Sequence, residues 1–241
     1  KELPFIYRIH ESPDKQSVME LLQVAHAFGM DFSPPAKISP RFFQNVAAQF
    51  QEHPASTVLQ DQLLRTMMKA KYSPENVGHF GLAYRYYTHF TSPIRRYPDL
   101  IVHRLLKKYA NRDFDESPAF YQEIEQICQK STSNEIRAQN AERDSIKLKQ
   151  LQFLERHMQD VFEGIIIRIV NFGFFVLLPE FQLDGLVHIT SLDDDYYIVD
   201  DQHYRIYGQK SGVEYKLSEK IKVRVVRVDR NENLIDFVMS E

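Results

Sequence analysis

The chain has 241 residues, 43% of them hydrophobic, and a formal net charge of -3, which suits one large core or two smaller ones and excludes a uniformly basic nucleic-acid binder. Its single cysteine, Cys128, excludes an intrachain disulfide and fits a reducing compartment such as the cytoplasm. No apolar run approaches the roughly 18 residues of a membrane span, and an opening Lys1 without a signal-like leader reads as a chain cut from something longer.

Leu3 to Ile9 is apolar and extended in character, so it reads as a strand. Ser12-Pro13 then offers an N-cap and a first-turn proline, Val18, Leu21, Leu22, Ala25 and Phe28 recur at helical spacing, and Gly29 supplies a stop. Ser39-Pro40 repeats the start signal ahead of Phe42, Phe43, Val46 and Phe50, and a third helix carries Leu59, Leu63, Leu64, Met67 and Met68. From Tyr72 to Thr91 turn residues precede an aromatic, partly alternating segment that suits strand and loop. Helical period returns from Pro93, with Arg96, His103 and Lys107 on one face and Arg104 and Lys108 beside them. Ser117-Pro118 starts another helix, and Thr132 to Glu135 fits a capping box that restarts it. Near residue 160 the composition turns to β-branched and aromatic residues punctuated by glycine, and five short strands in about 80 residues predict a small barrel of the OB type. Asp193 to Gly212, acidic and rich in tyrosine, reads as a long loop.

Charge is divided unevenly. Residues 1–159 hold 21 Lys+Arg against 18 Asp+Glu, a balance of +3, and residues 160–241 hold 9 against 15, a balance of -6. Any nucleic-acid ligand must therefore be drawn by local patches.

The most specific stretch runs from Gly78 to Lys108. Arg95 and Arg96 follow the rigid Ser92-Pro93 corner at a helix start, where guanidinium forks and free first-turn amides could face one anion. Phe80, Tyr84, Tyr86, Tyr87 and Phe90 could stack on bases. Residue types alone leave two alternatives open: rings that are core, and arginines that pair structurally, here with Asp99. His79, His89 and His103 read first as satisfied structural groups.

The run HFGLAYRYYTHFTSPIRRYPDLIVHR, with NAERD at Asn140 to Asp144, resembles the C-terminal half of the catalytic domain of the ribonuclease II / ribonuclease R family, and Arg96 and Pro98 match its ribonuclease R branch. From residue 161 onward the chain resembles an S1-type RNA-binding domain. The resemblance implies an α+β chain: residues 1–159 as the mainly helical C-terminal portion of an RNB catalytic domain, and 160–241 as a five-stranded OB-fold (S1-type) barrel. It further implies a fragment of a processive, cytoplasmic 3′-to-5′ exoribonuclease that hydrolyses RNA to nucleoside 5′-monophosphates with Mg²⁺. The metal-binding aspartates lie upstream of the region matched, so this fragment alone is expected to be inactive. Its expected partners are single-stranded RNA and the missing N-terminal part of the same protein, with no membrane.

By the same resemblance Arg95 is the catalytic arginine and Glu142 senses the ribose 2′-hydroxyl, where the residues alone offer only a helix carboxylate beside Arg143. Arg96, Tyr87, His103 and Arg104 are expected along the RNA channel, and Phe172, Phe175 and His188 form the stacking platform of the S1 domain. The S1 pattern continues at Asp229 but has Asn233 where a basic residue is usual, with Lys222, Arg224 and Arg227 as a local basic strip. Asp193, Asp194, Asp195, Asp200 and Asp201 match no EF-hand spacing and read as a solvated acidic loop. Two other functions stay open: a non-catalytic single-stranded RNA-binding module, and a helical scaffold with an OB domain that binds proteins.

Overall fold

The computed structural model describes residues 3–200 and 203–240. Apolar residues at three- and four-residue spacing wind the first part of the chain into helices, and alternation takes over at Val161. Two compact units result. One comprises the residues up to His26, Asp31–His53 and Gln60–Asn140; the other comprises Ala27–Met30, Pro54–Leu59 and the residues from Ala141 onward.

In the first unit β1 (Tyr7–Ile9) leads to α1 (Lys15–Ala27). The cap of α1 falls later than Ser12: the Asp14 carboxylate accepts the Ser17 N–H at 2.8 Å and the Ser17 hydroxyl at 2.7 Å. Ser39 does cap α2 (Pro40–Glu52), accepting the Phe42 N–H. In α3 (Ser56–Thr66) Leu59 is buried while Leu64 is exposed, as is Met68 beyond its end, so the expected apolar stripe is only partly covered.

β1 pairs antiparallel with β2 (Lys71–Ser73). A two-stranded ribbon this short is not stable alone. It is held by a core of Ile6, Tyr72, Ile101, Val102, Leu105, Ile124 and Cys128, contributed with α4 (Tyr97–Ala110) and α5 (Pro118–Arg156). Ser117 caps α5, accepting the Phe120 N–H. The restart expected at Thr132 does not occur. Thr132 Oγ1 accepts the Tyr72 N–H at 3.0 Å and Glu135 pairs with Arg8, so both capping-box side chains serve tertiary contacts and the helix runs through.

In the second unit β3 (Val161–Val170), β4 (Gly173–Leu178) and β5 (Leu183–His188) form a meander. β6 (Tyr197–Asp200), β7 (Arg205–Gly208) and β8 (Glu214–Lys216) form a separate antiparallel sheet, and β9 (Lys220–Asp229) with β10 (Leu234–Met239) completes the barrel in the order β10-β5-β4-β3-β9. Parallel pairing of β10 with β5 closes it, an OB-type arrangement that leaves no open edge. Ile166, Phe174, Val176, Val187, Val223, Val225 and Phe237 fill the interior with Leu151 and Leu154 of α5. Within residues 193–212, expected as a loop, lie the two strands β6 and β7, and β8 follows just beyond. Tyr197 and Ile206, hidden among aspartates in the sequence, bury their side chains there. No helix among the described residues is long and apolar enough to cross a membrane.

Candidate nucleic-acid interface

Arg95 and Arg96 are neighbours in sequence that the fold uses differently. The Ser92 carbonyl accepts the Arg95 and Arg96 N–H groups at 3.3 and 2.9 Å, closing the turn, and α4 begins at Tyr97 with Pro98 in its first turn. Buried Asp99 accepts the Ser92 N–H at 2.7 Å and the Arg96 guanidinium at 2.9 Å. Arg96 is committed to that carboxylate, whereas Arg95 is exposed and has no ion pair among the described residues. The free amides expected here are mostly used: Asp99 and Leu100 donate to the Arg96 carbonyl at 3.2 and 3.5 Å. Pro98 has no N–H to give. Of the donors at this corner, the Arg95 guanidinium is the one left exposed and without an ion pair among the described residues.

The aromatic segment is pinned to β1. The Arg8 and Phe80 N–H groups bond the Tyr87 and His10 carbonyls, each at 2.8 Å, and the Thr88 hydroxyl bonds the Ile6 carbonyl at 2.8 Å. His10 Nδ1 accepts the Gly81 N–H at 2.8 Å, which puts its proton on Nε2, facing the Met68 carbonyl. A Cβ at Gly81 would lie 2.8 Å from that Nδ1, so this approach requires glycine. Tyr87 is half-buried and edge-on to His79 and His89, at 5.1 and 5.7 Å between centroids. His89 Nδ1 is hydrogen-bonded to the Tyr72 hydroxyl at 2.8 Å, and burial lowers the pKa of both His79 and His89. Arg8 lies over the Tyr72 ring and binds Glu135 bidentately at 2.5 and 3.0 Å.

Core or stacking is thus decided ring by ring. Tyr84 and Tyr86 are each 57% exposed beside a groove of about 1080 Å³ that Arg41 and Arg85 also line. Phe90 is exposed on one side and covered on the other by His103, stacked at 4.2 Å and 2° with Nε2 donating to the Phe90 carbonyl. His103 therefore props Phe90, and Arg104 beside it is exposed. Glu142 is exposed on α5 in the second unit.

On the barrel, Phe172 and His188 face each other near-parallel, 6.2 Å between centroids and 24° between planes, and both are exposed. Gly173 makes this possible: it pairs with His188 at φ +149°, where a Cβ would lie 2.1 Å from the Val187 carbonyl. Phe175 carries the Arg168 guanidinium over its ring at 4.0 Å. Arg168 was not legible in the sequence. Strict alternation from Gly164 and Ile166 would point it inward, but a bulge between Ile166 and Arg168 sets it opposite Phe175 on the outer face.

The expected basic strip is weakened. Arg227 pairs with Asp229 and Asp236 at 3.0 and 3.5 Å, and Lys222 stands across from Glu163. Asp229 Oδ1 accepts the Asn231 and Glu232 N–H groups, and Asn233 takes a left-handed φ of +56°, a turn role that asparagine tolerates.

The acidic residues organise the β6-β7-β8 sheet. Asp195 accepts the Lys210 and Ser211 N–H groups at 2.6 Å each, and with Tyr196 these backbone donors hold its pKa down at about 2. Asp194 accepts from the Tyr197 hydroxyl and Asp200 from Arg205. Asp201 lies outside the described residues. Among the described residues no three His, Cys, Asp or Glu side chains come together to hold a metal ion, so the side chains present do not fit a nuclease metal centre.

Residues 1–112 match the RNB domain and residues 158–240 match the S1 RNA binding domain. Over 99% of this chain, ribonuclease R of Thermotoga maritima is 40% identical, and over 97% ribonuclease R of Escherichia coli is 37% identical. The chain spans 34% and 30% of those relatives, about a third of their length. The apo form of Mycoplasma genitalium RNase R superposes with a TM-score of 0.85 at 28% identity over 99% of this chain and 38% of that one. Its complex with ribose-methylated single-stranded RNA gives 0.85 at 27% identity with the same coverage. Yeast Ssd1, a pseudonuclease, shares the fold at a TM-score of 0.69 and 21% identity over 84% of this chain and 26% of its own.

Proposed function

Because the chain belongs to the ribonuclease II / ribonuclease R family, with an RNB-matching stretch ahead of an S1 domain, we propose that it is a fragment of a cytoplasmic, processive 3′-to-5′ exoribonuclease that hydrolyses RNA to nucleoside 5′-monophosphates. In this reading residues 1–159 complete the catalytic domain and 160–241 form the RNA-binding barrel. The observation that carries it is the corner at Ser92: Arg95 alone of the arginine pair stands exposed and uncompensated on a turn held at both ends.

A guanidinium so placed neutralises charge building on phosphoryl oxygens, and removing one donor of that kind costs about 10²- to 10³-fold in turnover. A divalent metal would supply an activated water in the intact protein; the residues described here do not fit it, and its ligands are assigned to the part upstream. Phe172, Phe175 and His188 stack bases, Tyr87, Arg104 and His103-backed Phe90 guide the strand, Arg96 contacts it through its partly exposed side, and Glu142 accepts from a 2′-hydroxyl. The single-stranded RNA in the Mycoplasma complex supports that ligand class.

Arg95→Ala in the intact protein tests the reading. Turnover is expected to fall about 10²- to 10³-fold with a much smaller change in RNA affinity. Equal losses in both would make Arg95 a binding residue. Robust release of mononucleotides by this chain alone with Mg²⁺ would overturn the upstream placement of the metal ligands, and an intact protein that binds RNA without cleaving it would establish the non-catalytic module instead.

A further inference from the structure

We propose that Asp99 is a positioning residue that acts through Arg95, an inference that rests on the catalytic reading of Arg95. Asp99 is the third residue of α4, yet its side chain is 0% exposed. A carboxylate can favour a helix N-terminus without being fully buried. This one reaches back across the corner to the Ser92 N–H and to the Arg96 guanidinium through a single oxygen, Oδ2. Its Oδ1, and Nε of Arg96, are buried without a hydrogen-bond partner, so the pair is not arranged for maximal hydrogen bonding. The same arrangement leaves the Arg95 backbone little freedom. Ser92 is held by its N–H to Asp99 and by its carbonyl to Arg95 and Arg96, and Pro93 fixes the φ between them. Within this frame Arg96 balances the Asp99 charge, and Arg95 remains free to meet an anion.

The two adjacent arginines thus have different duties. Arg96 and Asp99 set the geometry, and a displacement of the corner by about an ångström is enough to cost a rate enhancement that depends on an aimed donor. Asp99→Asn keeps an acceptor near Ser92 but removes the charge that holds Arg96, so the corner is expected to loosen while the helix persists.

The test is a double-mutant cycle in the intact protein, reading kcat, RNA KM and hydrogen exchange of the peptide containing Ser92. Asp99→Asn is expected to lower kcat at least about tenfold, leave KM within about threefold, and speed exchange at Ser92. In an Arg95→Ala background the same substitution should cost less than about twofold, because the group it aims is already gone. Full additivity of the two losses, or a fall in melting temperature that accounts for the lost activity, would make Asp99 a purely structural residue. Unchanged Ser92 exchange in Asp99→Asn would refute the claim that the Asp99 carboxylate holds the corner, whatever the kinetics. If Arg95→Ala leaves kcat intact, the catalytic reading and this inference fall together, a result distinct from additivity.

Discussion

Phe172→Ala tests the proposed stacking role of the barrel separately from its stability. Phe172 lies in the turn between β3 and β4 with 48% of its surface exposed, and its ring contact is His188 at 6.2 Å. Little of the hydrophobic interior depends on it, so the barrel should fold unaltered. A base stacked on an aromatic platform contributes about 1 to 3 kcal/mol. At about 1.4 kcal/mol per tenfold, loss of one such base weakens single-stranded RNA binding about 5- to 150-fold. Fluorescence anisotropy with a labelled oligoribonucleotide at two salt concentrations measures it. The salt slope should stay the same in the variant, because a ring is removed and no cation. Unchanged affinity would show that RNA does not use this face, and a changed slope would show that the substitution disturbed the charged surface rather than a stack.

Phe174→Ala, two residues on, should do the reverse: its side chain is 0% exposed in the barrel interior, and a loss of about 3 to 5 kcal/mol in denaturant unfolding is expected. Burial lowers the pKa of His79 and His89, whereas the unfolded side chains titrate near about 6.5. Below that value the unfolded chain takes up protons that the folded chain refuses. The melting temperature should therefore fall between pH 7.5 and 5.5, and replacing both histidines with glutamine should flatten the trend; a rise on acidification would contradict the burial assignment. Burial also pushes the Cys128 thiol up to about 12, so iodoacetamide at pH 8 should leave it unmodified in the native protein and alkylate it in denaturant, as read by intact mass.

Local signals carried the parts of the fold that depend on near neighbours. Ser39-Pro40 and Ser117-Pro118 mark helix starts because a cap needs only a side-chain oxygen and an amide three residues away. The same logic fails where a distant partner competes. Thr132 and Glu135 have the spacing of a capping box, but Tyr72 and Arg8, far off in the sequence, claim both side chains and α5 continues. Aspartates obscured the β6-β7-β8 sheet, since their role as acceptors for turn amides becomes visible only when Lys210 and Ser211 close on Asp195.

The sequence by itself determined the division into a helical stretch and a β-rich one, the barrel class, and the corner that bears Arg95, because periodicity, glycine spacing and a proline-fixed turn are properties of adjacent residues. Only the tertiary structure decided which arginine of the pair is free, that His103 supports Phe90, and that Arg168 caps Phe175. Each of those depends on a contact or a bulge that sets which way a side chain points. A one-residue change in strand register or one buried carboxylate reverses such an outcome without altering the local pattern.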